Sequence, residues 1–327
     1  MNENKNQFKD GKKHGYWEES FKNGGLIKGN YKNGAPDGLS EAFYASGKLK
    51  CKFYSKEGEI DGLFLEYYEN GQLKNEWNIK KGKFHGSHKR YFENGQLESS
   101  KIFKDHEAHG LSTEYFENGI LKSNINWVEG KIKDLNEEYF ENGQLSIRVR
   151  YYNGKKDKTI ERYNKDGSVI KFEKYENGKL EGRHFEMDQE GREIVYNYLN
   201  NKREGPHYVY YSLDVTEGSK VKAIEATYKD NKLEGKVYEY DPSGAKISMT
   251  TYISGKKEGE AELYHRSGKP AIRLSFKNNL REGPSYQYFP TGELYKEVEF
   301  ENDQKVGNEK TYFPDGRLNS IYGYKED

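Results

Sequence analysis

Gly82-Lys-Phe-His-Gly-Ser-His-Lys-Arg-Tyr-Phe-Glu-Asn-Gly-Gln-Leu97 is the stretch whose reading decides the fold. It holds three glycines at unequal spacings, and each begins a series along the chain. The Gly95 series runs from Gly24 through Gly47, Gly71, Gly119 and Gly143 to Gly316, mostly in steps of 24 residues. The Gly86 series stands nine residues earlier in most units, with Asp134 and Lys158 replacing glycine in two of them. The Gly82 series stands four residues before that. Wherever it loses glycine the replacement is His106, Asn201, Asn231, Asn279 or Asp303, residue types that tolerate positive φ. The reading is thirteen copies of one unit, with left-handed turn residues at the third series.

Each unit reads as two short strands joined by turns. The Gly95 series sits in Glu-Asn-Gly (69–71, 93–95, 117–119, 141–143) or Pro-Asp-Gly-type sequences, which are hairpin-turn signals. Tyr67, Tyr91, Tyr115 and Tyr139 stand four residues before it, and Leu73, Leu97, Leu121 and Leu145 two residues after. Aromatic and aliphatic residues at fixed positions between closely spaced turns favour strands and leave no room for a useful helix. The expected fold is all-β: an elongated single-layer antiparallel meander of consecutive β-hairpin repeats, a solenoid of about 26 strands twisted into a rod on the order of 120 Å long. No linker breaks the repeats, so residues 1–327 are read as one elongated domain. Its repeats cover about 8–320, with an atypical stretch at 130–225. There Asp134 and Lys158 imply a turn of another conformation, Met187 and Asp188 replace an aromatic pair, and the Tyr210–Val221 tip is expanded.

Composition narrows the function. In 327 residues, 54 Lys and Arg balance 54 Asp and Glu, which argues against nucleic acid, whose binding needs a basic patch. The 29 Tyr and 16 Phe place apolar area on amphipathic rings rather than in a thick aliphatic core. One cysteine, Cys51, excludes an internal disulfide framework and a cysteine zinc site, and reads as an incidental strand residue. No apolar run is long enough for a membrane span or a signal segment, so a cytoplasmic location is expected.

Catalytic signals are absent. His14, His85 and His109 occupy a slot filled elsewhere by Glu181, Glu204, Glu234, Glu258 and Glu282, and read as solvated turn residues rather than metal ligands. Glu69, Glu93, Glu117 and Glu141 recur at one turn position, and identical copies do not supply the two different environments an acid–base pair needs. No catalytic residue, no metal site and no cofactor is therefore expected. The repeated Tyr ladder reads as packing. Trp77, Trp127, Tyr210 and Tyr211 depart from the repeat and are the candidate protein-binding residues. The Met1–Gln7 and Tyr324–Asp327 ends read as blockers of the sheet's edge strands.

The pattern at 82–97, repeated at 58–73 and 255–268, resembles the bacterial variant of the MORN repeat. The resemblance implies a solenoid of β-hairpins used as a scaffold or recognition surface. The bacterial members include a group labelled as the antitoxin half of toxin–antitoxin pairs. The expected function is thus a non-enzymatic repeat scaffold that binds another protein, in the manner of an antitoxin or immunity protein neutralising a toxin, as a monomer or a weak end-to-end oligomer. Two alternatives stand beside it: a self-associating structural scaffold with weak membrane-lipid contact, and a carbohydrate-binding module.

Overall fold

The computed structural model describes residues 5–152, 157–216 and 218–324. Gly154 of the third series, and Met1–Asn4 and Lys325–Asp327 of the expected edge blockers, lie outside them. The described residues hold 32 strands and no helix. The strands follow one another as antiparallel hairpins in a single layer, as the glycine spacing predicts. They exceed the expected ~26 chiefly because some strands are split, leaving two-residue segments such as Glu107–Ala108 and Lys179–Leu180. The chain divides into two compact units, Met1–Val169 and Ile170–Asp327.

Two turn types alternate, and local chemistry selects each. At Glu-Asn-Gly, the Tyr68 N–H donates to the Gln72 carbonyl at 2.8 Å and the Gly71 N–H to the Tyr68 carbonyl at 2.9 Å. With Gly71 at φ 92°, this is a three-residue hairpin loop closed by a left-handed glycine. At the other end of the strands, Lys80 pairs with Lys83 around Lys81 (φ 48°) and Gly82 (φ 70°). Two successive left-handed residues make a type I′ turn, whose twist matches that of the flanking strands. His106, Asn201, Asn231, Asn279 and Asp303 all have φ between 67° and 74°, as their residue types predict.

These side chains do more than tolerate the backbone. The Asn279 N–H donates to the Lys257 carbonyl at 3.0 Å, and Asn279 Oδ1 accepts the Lys257 N–H at 2.8 Å. Both backbone groups of one residue in the preceding repeat are held by a single turn residue. Asn201 holds Leu180, Asn231 holds Arg203 and Asp303 holds Arg281 in the same way. In the first unit His106 accepts the Phe84 N–H through Nδ1 at 3.3 Å. A glycine here keeps only the backbone half of the clasp, as Gly82 does with Ile60.

The Gly86 series lies at a bulge, not in a turn. Ile79 pairs with Phe84 and Trp77 with His88, so one residue on one strand faces three on the other, with Gly86 (φ 84°) among them. Asp134 corrects the expectation of a different conformation: at φ 59° it remains left-handed, inside the same bulge. Lys158 does differ. The ladder runs straight past it, through Arg150–Thr159 and Tyr151–Lys158 pairs.

Two residues after the bulge position comes the most buried row of each unit. In the first it includes Trp17, Ser40, Ser112 and Asn136, and in the second His184, His207, Ala261 and Ser285, all 4% to 8% exposed. Among the described residues no side chain is fully enclosed, as expected of a sheet without a second layer. The buried histidines find partners nearby. His184 Nε2 lies 3.1 Å from the Lys174 carbonyl and its ring 4.7 Å from that of Tyr198. His207 Nδ1 lies 2.9 Å from the Val195 carbonyl, with its ring stacked on Tyr196 at 4.6 Å. Arg203 covers the other neighbour of that stack, 4.0 Å from the Tyr196 centroid.

Two expectations follow. Asn279→Gly keeps the left-handed backbone but loses the side-chain clasp, lowering stability by about 1 kcal/mol. Asn279→Ala adds a left-handed alanine at a further cost of about 1 kcal/mol. Denaturant titration orders the variants Asn, Gly, Ala, and an Ala variant as stable as the parent would refute the clasp. Burial also holds the imidazoles of His184 and His207 below their ordinary value of 6.5. The folded chain therefore binds fewer protons than the unfolded one, and their contribution is complete above that value and lost as pH falls through the folded-state pKa. The melting temperature measured at about pH 5 should lie below that at about pH 7.5, and His207→Gln should shrink the difference.

Candidate functional site

Strand alternation gives each unit two faces. On the face of the buried row, the first unit carries a cluster of rings that departs from its neighbours. Phe53 stacks on Phe64 at 5.3 Å, and Phe64 on Trp77 at 4.9 Å. Trp77 meets Phe84 and His88 edge-on, at 5.7 and 5.3 Å. Phe103 lies 5.6 Å from Phe84. The direct cross-strand pairs Phe53–Phe64, Phe64–Trp77 and Trp77–His88 build this ladder, because the bulges keep each pair in step after the extra residues. Elsewhere in the same unit Ser40, Ser112 and Asn136 hold the equivalent position and do not extend it, while Trp17 meets other rings, Phe8 at 5.0 Å and Tyr31 at 6.1 Å.

The cluster contains polar atoms without partners. Trp77 Nε1 and His88 Nε2 are buried there without a hydrogen-bond partner, as are His109 Nδ1 and Ser112 Oγ elsewhere in the unit, and His85 Nδ1 lies 3.7 Å from Asp105 Oδ1. Burial, reinforced by Lys101 and Arg90, holds the His88 imidazole below its ordinary value, so at neutral pH it is uncharged. Beside the rings an open groove of about 430 Å³ is lined by Arg90, Phe92, Glu98, Lys101, Glu114 and Phe116. Its charges are internally matched: Arg90 binds Glu98 at 2.7 Å and Lys101 binds Glu114 at 3.1 Å. The surface offers the edges of apolar rings and paired charges, which suits recognition rather than bond-making.

The four residues singled out by sequence fall in different settings. Trp77 is at the centre of the ring cluster. Trp127, in the same unit, is half-buried and pairs across the sheet with Gly110 and Ile132. Tyr210 and Tyr211 belong to the second unit. Tyr210 is covered by the Lys220 ammonium, 4.4 Å from its centroid. Tyr211 donates its hydroxyl to the Tyr240 carbonyl at 2.6 Å, as Tyr44 does to Tyr67 and Tyr68 to Tyr91. Beyond it the expanded tip folds on itself, with the Gly218 N–H on the Leu213 carbonyl at 2.7 Å and Leu213 and Val215 more than half exposed.

Sequence reading missed three things. The buried row containing His88, His184 and His207 was not recognised, because a bulge separates it from the glycine that marks it. The glutamate slot is not merely solvated: Glu234 Oε2 accepts the Ser254 N–H at 2.8 Å and Glu258 Oε2 the Asn278 N–H at 2.7 Å, tying one repeat to the next. The Tyr ladder is hydrogen-bonded to carboxylates on the opposite face, as in Tyr139 to Glu137 at 2.7 Å. Burial first, then Glu161 and Glu262, pushes Tyr163 and Tyr264 up to about 12. Cys51 is a half-buried strand residue opposite Ala42 and Glu66, and burial pushes its thiol up, away from reactivity. Among the described residues no group of three or more His, Cys, Asp or Glu is placed to hold a metal ion.

Six segments, residues 36–57, 60–81, 84–105, 108–129, 257–278 and 281–302, match the MORN repeat variant. No curated protein matches the sequence. Among solved structures, that of TcdB2-TccC3 without its hypervariable C-terminal region is 12% identical over 92% of this chain and 18% of that one, with a TM-score of 0.18. That of TcdB2-TccC3-Cdc42 is 12% identical over 90% and 20%, with a TM-score of 0.17. The chain spans about a fifth of the length of those chains, and likeness at such scores carries no argument. The six segments that match are thus similar to MORN-type repeats, four in the first unit and two in the second.

Proposed function

We infer that the chain is a non-enzymatic recognition scaffold whose first unit binds a protein through the ring cluster around Trp77. The observation that carries this reading is the concentration at one place of stacked, half-exposed rings. Aromatic anchors of this kind are the usual composition of a binding hot spot. The MORN-type repeat supports a scaffold role, and the partner class we favour is a toxin that the chain neutralises as an antitoxin or immunity protein does. The sugar-binding alternative is less well served, because the Phe53, Phe64 and Trp77 rings stack on one another and leave mainly their edges free.

Affinity purification of the tagged chain from its own cell, followed by mass spectrometry, tests the reading. One stoichiometric protein is expected. Its binding should weaken on the order of a hundredfold in Trp77→Ala, with unchanged strand content by circular dichroism. Growth rescue when the captured protein is co-expressed would establish neutralisation. Recovery of the chain alone, or of lipid, would favour the self-assembling scaffold instead. Tyr210→Ala and Tyr211→Ala, in the second unit, separate the two candidate regions, and loss of capture there with Trp77→Ala neutral would relocate the site.

A further inference from the structure

The face opposite the ring cluster carries an apolar stripe that the fold does not require. One residue after the bulge position, four copies of the first unit place Leu39, Leu63, Leu111 and Leu135, each 39% to 54% exposed, while the other three hold Tyr16, Ser87 and Thr159. Tyr54, opposite Leu39, and Ile102, opposite Ser87, lie on the same line and are 56% and 41% exposed. A Cβ built on Gly62 would stand 3.8 Å from Tyr54, and one on Gly110 3.5 Å from Ile102, so the strands bring these side chains alongside one another. In the second unit the same positions hold Arg183, Pro206, Lys236, Glu260, Pro284 and Asn308. A position that accepts arginine, glutamate and asparagine in working hairpins does not need leucine for folding. The leucines of the first unit are therefore explained by something outside the chain.

The borders of the stripe specify its occupant. Along one side, the strands that lead into the type I′ turns end in exposed Lys32, Lys56, Lys80 and Lys104, one every 24 residues. They stand apart from the ion pairs that tie Lys74, Arg90, Lys101 and Arg148 to glutamates, Lys32 and Lys80 facing Ala35 and Lys83 across the turn and Lys56 and Lys104 facing Glu59 and Glu107. Along the other side lie Glu41, Glu76 and Glu137, each directly opposite Lys52, Lys89 or Arg148 across the sheet. An anionic membrane would meet those carboxylates as well as the lysines, and the stripe is a single residue wide. Spacing adds a third constraint. Leu39 to Leu135 spans eight strand steps, about 38 Å, and within each of the pairs Leu39–Leu63 and Leu111–Leu135 the leucines stand two strands apart, about 9.6 Å, with Ser87 between the pairs. One heptad of α-helix rises about 10.5 Å.

We propose that the stripe binds an amphipathic helix of a partner protein, with an apolar seam repeating every seven residues and an acidic flank facing Lys32, Lys56, Lys80 and Lys104. The helix lies across the strands, its seam on Leu39, Tyr54, Leu63, Ile102 and Leu111, in the manner of helix-in-groove recognition but on an open sheet. This is a second surface, on the opposite face from the ring cluster, and it stands or falls independently of it.

The test uses the full chain and a fluorescent synthetic helix of about 26 residues, with leucines at heptad a and d positions and glutamates at e and g. Saturable binding is expected, weakened at least about tenfold in the double variant Leu63→Glu, Leu111→Glu. It should weaken in raised salt and in Lys56→Glu, Lys80→Glu, and be absent with the same helix flanked by lysines. Trp77→Ala should leave it unchanged, which distinguishes this surface from the ring cluster. Unaltered melting of the variants, expected because the second unit tolerates polar residues there, excludes loss by unfolding. No binding, or binding indifferent to the leucine pair, overturns the proposal. So does recruitment to phosphatidylserine vesicles, or concentration-dependent self-association in sedimentation, where either is abolished by the leucine pair while the helix does not bind.

Discussion

A sheet one layer thick has no opposing layer to hold it, so its order rests on how firmly each hairpin grips the next. Here the grip is concentrated at the two rows of turns. On one row the amide of a left-handed residue reaches back to a carbonyl of the preceding repeat, and an asparagine or aspartate there returns a second bond to the same residue. On the other row Asn70 donates to the Glu93 carbonyl, Asn94 to that of Glu117 and Asn142 to that of Lys165. Between them one row of each unit is buried and most of the other strand residues are half-exposed or exposed. Each added repeat thus contributes a fixed set of polar bonds at its ends and a modest area of burial in its middle, the nearest-neighbour accounting expected of repeat proteins.

That arrangement explains which parts of the molecule could be read from its sequence. Turn geometry is written in one residue at a time: only glycine, asparagine, aspartate and histidine readily sit at φ near 70°, so the third series was legible from substitutions alone. The strand ladder followed from turn spacing. The bulge was not legible, because Gly86 and Gly82 look alike in a string of letters, yet one lies within a paired strand and the other in a type I′ turn. Missing the bulge hid the buried row two residues beyond it, and with it His184 and His207. Asp134 misled for the opposite reason. It lacks the freedom of glycine but tolerates the left-handed region well enough to keep the bulge.

The candidate binding residues were legible only as departures from a pattern. Trp77 stood out as the indole in a row of varied residues, and the structure surrounds it with Phe64, Phe84 and His88. Tyr211 stood out equally, but its hydroxyl makes the same bond to the following repeat as Tyr44 and Tyr68. Rarity in sequence does not separate a residue that faces a partner from one that spans an enlarged gap between repeats. Hydrogen-bond geometry does.

The same logic gives a criterion for any open repeat sheet. Because every position is built many times, the molecule supplies its own control experiments. Where a row holds tyrosine in nearly every copy and most of the hydroxyls meet a carboxylate, as from Tyr91 to Tyr312, the row belongs to the fold. Where a row holds leucine in one unit and Arg183, Lys236 or Glu260 in the other, with the backbone the same, packing within the chain cannot account for the leucines. Exposure alone is weak evidence of a binding surface, since single exposed apolar residues are common. Exposure that recurs in register on one unit, at sites where the other unit shows polar residues suffice, is a stronger argument, because the cost of leaving a leucine in water is borne at four copies of that unit.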